Sequence, residues 1–127
     1  MKIEHIALWT NQLEELKAFY TRYFQAKANQ RYHNPTKEFY SYFLSFDSGA
    51  RLEIMSKPQV EESFKSGLQV GLTHLAFSVG SVQAVDEMTM RLRENGIRII
   101  GEPRWTGDGY YESVIADPDG NLIEITI

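Results

Sequence analysis

The sequence has no cysteine among its 127 residues. That excludes disulfide staples, thiolate metal sites and a cysteine nucleophile, and leaves histidine, carboxylates and other oxygen or nitrogen donors for any metal. It also has no excess of positive charge, with 13 basic residues against 17 acidic ones and a net charge of −4. Phosphate backbones are bound by basic patches, so nucleic acid is not an expected partner. No apolar run approaches the roughly 18 to 20 residues that cross a bilayer, and no membrane partner is expected. The opening residues, Met1-Lys2-Ile3-Glu4-His5, pass straight into a strand pattern without the apolar region of a signal peptide, which makes the cytoplasm the expected location. Histidine is scarce as well, with only three residues. Where those three fall therefore carries information.

What remains is ordinary for a globular protein: 43% hydrophobic and 24% charged residues in a chain long enough for one small domain. Residues 2–9 alternate, placing His5, Ala7 and Trp9 on one face with Ile3, and Ile6 and Leu8 on the other with Glu4. Asn11 is a plausible cap for a helix in which Leu13, Leu16, Phe19, Tyr20 and Tyr23 recur at helical spacing through Phe24. A short strand over 28–32, a turn at Asn34-Pro35, an aromatic strand over 38–46 and a strand over 51–56 complete the first half. His33, beside that turn, reads as a surface residue. Residues 58–70 form a connector, with a single helical turn expected over 60–65.

The pattern then repeats. A strand over 71–79 carries His74, and Ser81 caps a helix that runs through Leu92 to Asn95-Gly96. A short strand over 97–100, a loop over 101–109, a strand over 110–116 and a closing turn and strand over 117–127 follow. The two halves, 1–57 and 71–127, each read strand, helix, three strands, and they match at their polar residues. His5-Ile6-Ala7-Leu8 answers His74-Leu75-Ala76-Phe77, and the stretch ending Glu53-Ile54 answers the one ending Glu124-Ile125. The His-to-Glu spacings are 48 and 50 residues. Such a self-match indicates a duplicated supersecondary unit.

In each half the His and the Glu occupy the strand face opposite the aliphatic residues that a covering helix needs. If all four meet, two carboxylates in a partly apolar hollow repel one another and lose hydration unless a cation neutralises them. Two neutral imidazoles and two carboxylates balance a divalent ion, and this donor set suits Ni²⁺, Zn²⁺, Co²⁺, Mn²⁺ or Fe²⁺. Taken singly, each His is an unremarkable strand residue and each Glu a solvated one. It is the joint pattern that points to a metal.

These motifs resemble the vicinal oxygen chelate superfamily, and within it the bacterial glyoxalase I (lactoylglutathione lyase) branch. The resemblance runs over nearly the whole chain and is carried by His5, by Arg51-Leu52-Glu53-Ile54, by Gly71 to Val79 and by Asp117 to Ile125. It implies an α+β domain of two tandem β-α-β-β-β units, with a curved mixed sheet bearing its helices on the convex face. It implies His5, Glu53, His74 and Glu124 as ligands of one divalent ion, with Glu124 or Glu53 as the catalytic carboxylate. It further implies a homodimer, and conversion of a 2-oxoaldehyde hemithioacetal into a 2-hydroxyacyl thioester through an enediolate. Where the bacterial enzymes place an arginine and an asparagine against glutathione, this chain has Trp9 and Lys57, so the thiol carrier stays open. Trp9, Lys57, Arg51 and Arg104 are the expected substrate contacts, with Trp105 and Tyr110 as possible stacking surfaces. The same resemblance leaves open a fosfomycin-modifying enzyme, an epimerase and a non-catalytic binding or resistance protein.

Overall fold

The computed structural model describes residues 1–62, 68 and 70–127, and the chain divides into two compact units, Met1–Ser63 and Phe64–Ile127. The first unit contains β1 (His5–Trp9), α1 (Leu13–Phe24), β2 (Lys27–Ala28), β3 (Tyr32–Asn34), β4 (Phe39–Ser45) and β5 (Arg51–Ser56). The second contains β6 (His74–Ser78), α2 (Val82–Glu94), β7 (Ile99–Trp105), β8 (Tyr111–Ala116) and β9 (Leu122–Thr126). Each unit is a mixed sheet with one long helix. In the first the strand order is β1-β5-β4-β2, with β3 also on β4; in the second it is β6-β9-β8-β7.

Each sheet opens with a parallel pair between its first and last strands, and the remaining pairs are antiparallel. The strand alternation sends one residue set toward the helix. In the first unit Leu44, Leu52 and Ile54 meet Leu16, Phe19 and Tyr20 of α1, all nearly or fully buried. In the second, Ile115, Ile123 and Ile125 are buried with Val85 and Leu92 of α2. These helix-side layers are the two cores, and the opposite face of each sheet is left to other residues.

Local chemistry explains most of the boundaries. Ser81 caps α2 as expected, its hydroxyl accepting a hydrogen bond from the Ala84 backbone amide at 3.1 Å. Gly96, at φ +77°, takes the left-handed conformation after the helix. The start of α1 differs from expectation. Gln12, not Asn11, is the boundary residue and makes no side-chain cap, while the buried Thr10 hydroxyl accepts from the Gln12 amide at 3.0 Å.

Three further elements correct the sequence reading. The single strand expected over 28–32 is two short pieces, β2 and β3, both paired with β4. The strand expected to stop at Ile100 continues to Trp105, with register shifts between Ile99 and Gly101 and between Gly101 and Arg104. Pro103 fits within it because β7 is an edge strand and the ladder is irregular there, so no pairing donor is lost. Of the helical turn expected over 60–65, residues 60–62 are not helical, and 63–65 lie outside the described residues. No helix among the described residues is long and apolar enough to cross a membrane.

Candidate metal centre

The closing turn shows how the chain aims Glu124. Asp117 is buried, and its Oδ1 accepts hydrogen bonds from the Asp119 and Asn121 amides at 3.0 and 2.8 Å, while its Oδ2 accepts from the Asn121 side chain at 2.7 Å. Gly120, at φ +76°, closes the turn through its amide to the Asp117 carbonyl. The strand that leaves this turn has Ile123 and Ile125 fully buried, so Glu124 must face away from α2.

The parallel ladders then bring each Glu to its His. In β1–β5 the residue level with Glu53 is Ala7, and in β6–β9 the residue level with Glu124 is Ala76. Alanine at both positions leaves space for the imidazole two residues upstream to lean across the ladder. His5 Nε2 lies 3.8 Å from Glu53 Oε2, and His74 Nε2 lies 3.4 Å from Glu124 Oε2. The exposures match too: 39% and 16% for His5 and Glu53, 43% and 18% for His74 and Glu124. Each unit therefore presents one His–Glu pair of the same construction.

The spacing fits shared coordination. Two donors each about 2.1 Å from one ion stand about 3.0 Å apart at a right angle and about 3.4 Å apart at the tetrahedral angle. The His74–Glu124 separation meets the second value, and His5–Glu53 exceeds it by a few tenths of an ångström. Among the described residues no group of three or more His, Asp or Glu stands together as a metal cluster. What each sheet provides is one His–Glu pair.

The surroundings of the two pairs differ. In the first unit the Glu4 carboxylate contacts His5 Nδ1 and also accepts from Arg51, whose Nε is 2.9 Å away. These hydrogen bonds, the one to His5 contributing most, hold the Glu4 carboxyl below its usual range. Sequence alternation had set Glu4 on the helix-side face with Ile6 and Leu8. Glu4 instead precedes β1, so the alternation does not bind it. The Arg51 guanidinium lies 4.2 Å from the centre of the Phe43 ring, and Phe43 meets His5 edge to face at 5.4 Å.

In the second unit Glu112 is the residue that sequence reasoning missed. Its side chain is only 12% exposed, and it lies beside Glu124 with Arg104 at 3.4 Å. Burial, then the charge of Glu124, push the Glu112 carboxyl above its usual range, and Arg104 opposes that rise. The signal was present in Tyr111 to Ala116, whose alternation places Glu112 and Val114 opposite the buried Ser113 and Ile115.

The other expected contacts are distributed unevenly. Lys57 and Trp9 come together, the ammonium 4.8 Å from the indole centre, and Trp9 abuts Phe39 edge to face at 6.2 Å. Arg51 stands with the His5 group and Arg104 with Glu112. Trp105 packs against Tyr111, whose hydroxyl donates to Asp86 of α2, so Trp105 belongs to the helix-bearing side. Tyr110 is exposed. His33 is exposed too, stacked on Tyr40 at 4.3 Å. A shallow depression of about 320 Å³ beside the start of α1, bordered by Asn11, Gln12, Arg31, Tyr40 and Ser56, contains none of the four expected ligands.

The sequence profile of the Glyoxalase/Bleomycin resistance protein/Dioxygenase superfamily matches residues 2–125, and the chain belongs to that family. Its curated relatives include two uncharacterized proteins of Bacillus subtilis (strain 168). YqjT is 28% identical over 128 residues, covering 97% of this chain and 96% of that one. YwkD is 33% identical over 95 residues, covering 75% and 72%. Among solved structures, glyoxalase I from Zea mays superposes with a TM-score of 0.81 at 20% identity, over 98% of this chain and 44% of the maize one. The present chain thus spans less than half of the maize enzyme, and at that identity the likeness is one of fold. The family's own description joins glyoxalases, resistance proteins and dioxygenases, so membership fixes the architecture and leaves the reaction to the site.

Proposed function

We propose that the protein is a divalent-metal-dependent isomerase of glyoxalase I type. The observation that carries this reading is the repetition of the His–Glu pair, with matching separation and exposure, on the parallel ladder of each unit. In it, His5, Glu53, His74 and Glu124 together hold one ion, Ni²⁺, Zn²⁺, Co²⁺, Mn²⁺ or Fe²⁺. The two pairs come from one chain or from the two chains of a homodimer. The ion, when bound, supplies electrostatic stabilisation of the negative charge that develops on adjacent substrate oxygens.

The chain's own groups do the proton transfer. Glu124 takes the proton from the carbon bearing the hydroxyl and the sulfur and returns it to the neighbouring carbonyl carbon, while the hydroxyl proton passes to the former carbonyl oxygen, giving a 2-hydroxyacyl thioester without any oxidant. Glu53 is the other carboxylate on the same ion and stands closer to a purely ligating role. Glu112, its carboxyl pushed above its usual range first by burial and then by the charge of Glu124, places a second carboxyl next to the working one. Trp9 and Lys57 form an apolar floor with a cation above it, and Arg51 and Arg104 supply the remaining positive charge for the substrate.

A flat indole in place of a bidentate guanidinium suits a thiol carrier other than glutathione. Spectrophotometric turnover of methylglyoxal hemithioacetals, with glutathione and with other low-molecular-weight thiols, tests the reading directly. The metal-loaded protein is expected to turn over at least one of them and to prefer a carrier other than glutathione. Inactivity on every hemithioacetal would refute the isomerase assignment.

A further inference from the structure

Glu4 adjoins His5 in the chain yet lies outside β1, and its carboxylate returns to the imidazole from the Nδ1 side. It does not do so alone. Arg51 donates from Nε to Glu4 Oε1 at 2.9 Å and also contacts it through its terminal guanidinium nitrogen, and the Arg51 backbone amide bonds the Glu4 carbonyl at 3.1 Å. The guanidinium is itself seated on Phe43, whose ring meets His5 edge to face with an interplanar angle of 85°. Glu4, Arg51, Phe43 and His5 thus form a closed circuit, in which each member restricts the next.

We infer that Glu4 is a positioning residue: it accepts the Nδ1–H of His5, fixing the tautomer and ring orientation that leave the Nε2 lone pair on the Glu53 side. This rests on the metal reading above for its purpose, although not for its geometry. An imidazole ligates a metal through an unprotonated nitrogen, and which nitrogen is free is set by the hydrogen bond made by the other. Carboxylates commonly fill that outer role, and losing one typically weakens metal binding about 10- to 100-fold. The planar guanidinium holds Glu4 Oε1 through two donors, which leaves Oε2 on the His5 side.

Among the described residues the second unit shows no such device. The residue before His74 is Thr73, and the position matching Arg51 on the ladder is Leu122. Among the described residues the His74 ring has an ion-pair contact only with Glu124. The two half-sites are therefore built alike at their ligands and differently behind them.

The test joins a spectroscopic reading with a titration. Nitrogen-15 spectra of the imidazoles, recorded on the metal-free protein well above the usual histidine range, are expected to show His5 protonated at Nδ1. In Glu4→Ala that signature shifts toward Nε2 protonation, while His74 is unchanged. Titration with Ni²⁺ is expected to show affinity lowered about 10- to 100-fold in Glu4→Ala. Glu4→Gln, which keeps an acceptor oxygen, recovers part of the loss, and Thr73→Ala leaves affinity as it was. Wild-type His5 protonated at Nε2, or a Glu4→Ala protein with tautomer and affinity both unaltered, overturns the inference. If the wild type fails to bind Ni²⁺, the metal reading falls, and the nitrogen-15 spectra still decide the role of Glu4.

Discussion

Glu124→Ala is expected to lower kcat/KM by roughly 10²- to 10⁴-fold, the span that a positioned general base or acid contributes. The expectation follows from the two tasks this carboxylate has in the proposed site. It faces away from the core on a strand whose neighbours, Ile123 and Ile125, are fully buried, so truncation removes the carboxylate without opening a cavity beneath α2. Thermal stability of the metal-free protein is therefore expected to stay close to wild type, which separates a chemical loss from a folding one. Glu124→Gln preserves size and one oxygen donor but cannot take a proton. Its kcat should fall as in the alanine variant, with less loss of metal affinity. A control exists on β7, where Glu102 is exposed and paired with Arg93. Glu102→Ala is expected to change turnover little, and an equal loss in both variants would show that Glu124 has no special role.

Ile54→Ala and Ile125→Ala are each expected to cost about 2 to 5 kcal/mol of folding stability. These residues occupy matching places in the two sheets, one after each glutamate, and both are fully buried against their helix. Deleting three carbons from such a site loses transfer free energy and leaves a cavity that the surrounding strand and helix close only in part. A domain of this size has about 5 to 15 kcal/mol in hand, so either change is a large fraction of the total. Urea denaturation should report it as a lowered midpoint with the slope preserved. By contrast Met90→Ala, at an exposed position on α2, should stay within about 0.5 kcal/mol. A small effect at both isoleucines would contradict the placement of the two cores.

The sequence made some of this visible and hid the rest for identifiable reasons. Glu53 and Glu124 were legible because each sits between buried aliphatics in a strand that follows a turn of Asp and Gly, and period-two alternation is the strongest signal a strand emits. Ser81 was legible because a cap acts within three residues of itself. Glu4 was not, since its partner Arg51 is 47 residues away and pairing at that distance leaves no local pattern. The extension of β7 was hidden by Gly101 and Pro103, which read as loop residues and are here accommodated by an irregular edge ladder. The split into β2 and β3 escaped notice because pieces of two and three residues are too short to show a period. Trp105 read from the sequence as one possible stacking surface, and its contact with Tyr111, whose hydroxyl bonds Asp86, sets it on the helix side.

The central claim is that the two His–Glu pairs are halves of one metal site, and stoichiometry tests it most directly. Each ion takes two pairs and each chain carries two, so the expected count is one ion per chain whether a site is completed within a chain or across a dimer. Calorimetric titration of the metal-stripped protein with Ni²⁺ should therefore saturate at one equivalent per chain. His5→Ala and His74→Ala should each weaken binding, and the double variant should abolish tight binding. Two equivalents per chain, no tight binding at all, or binding that survives loss of both histidines would contradict the account.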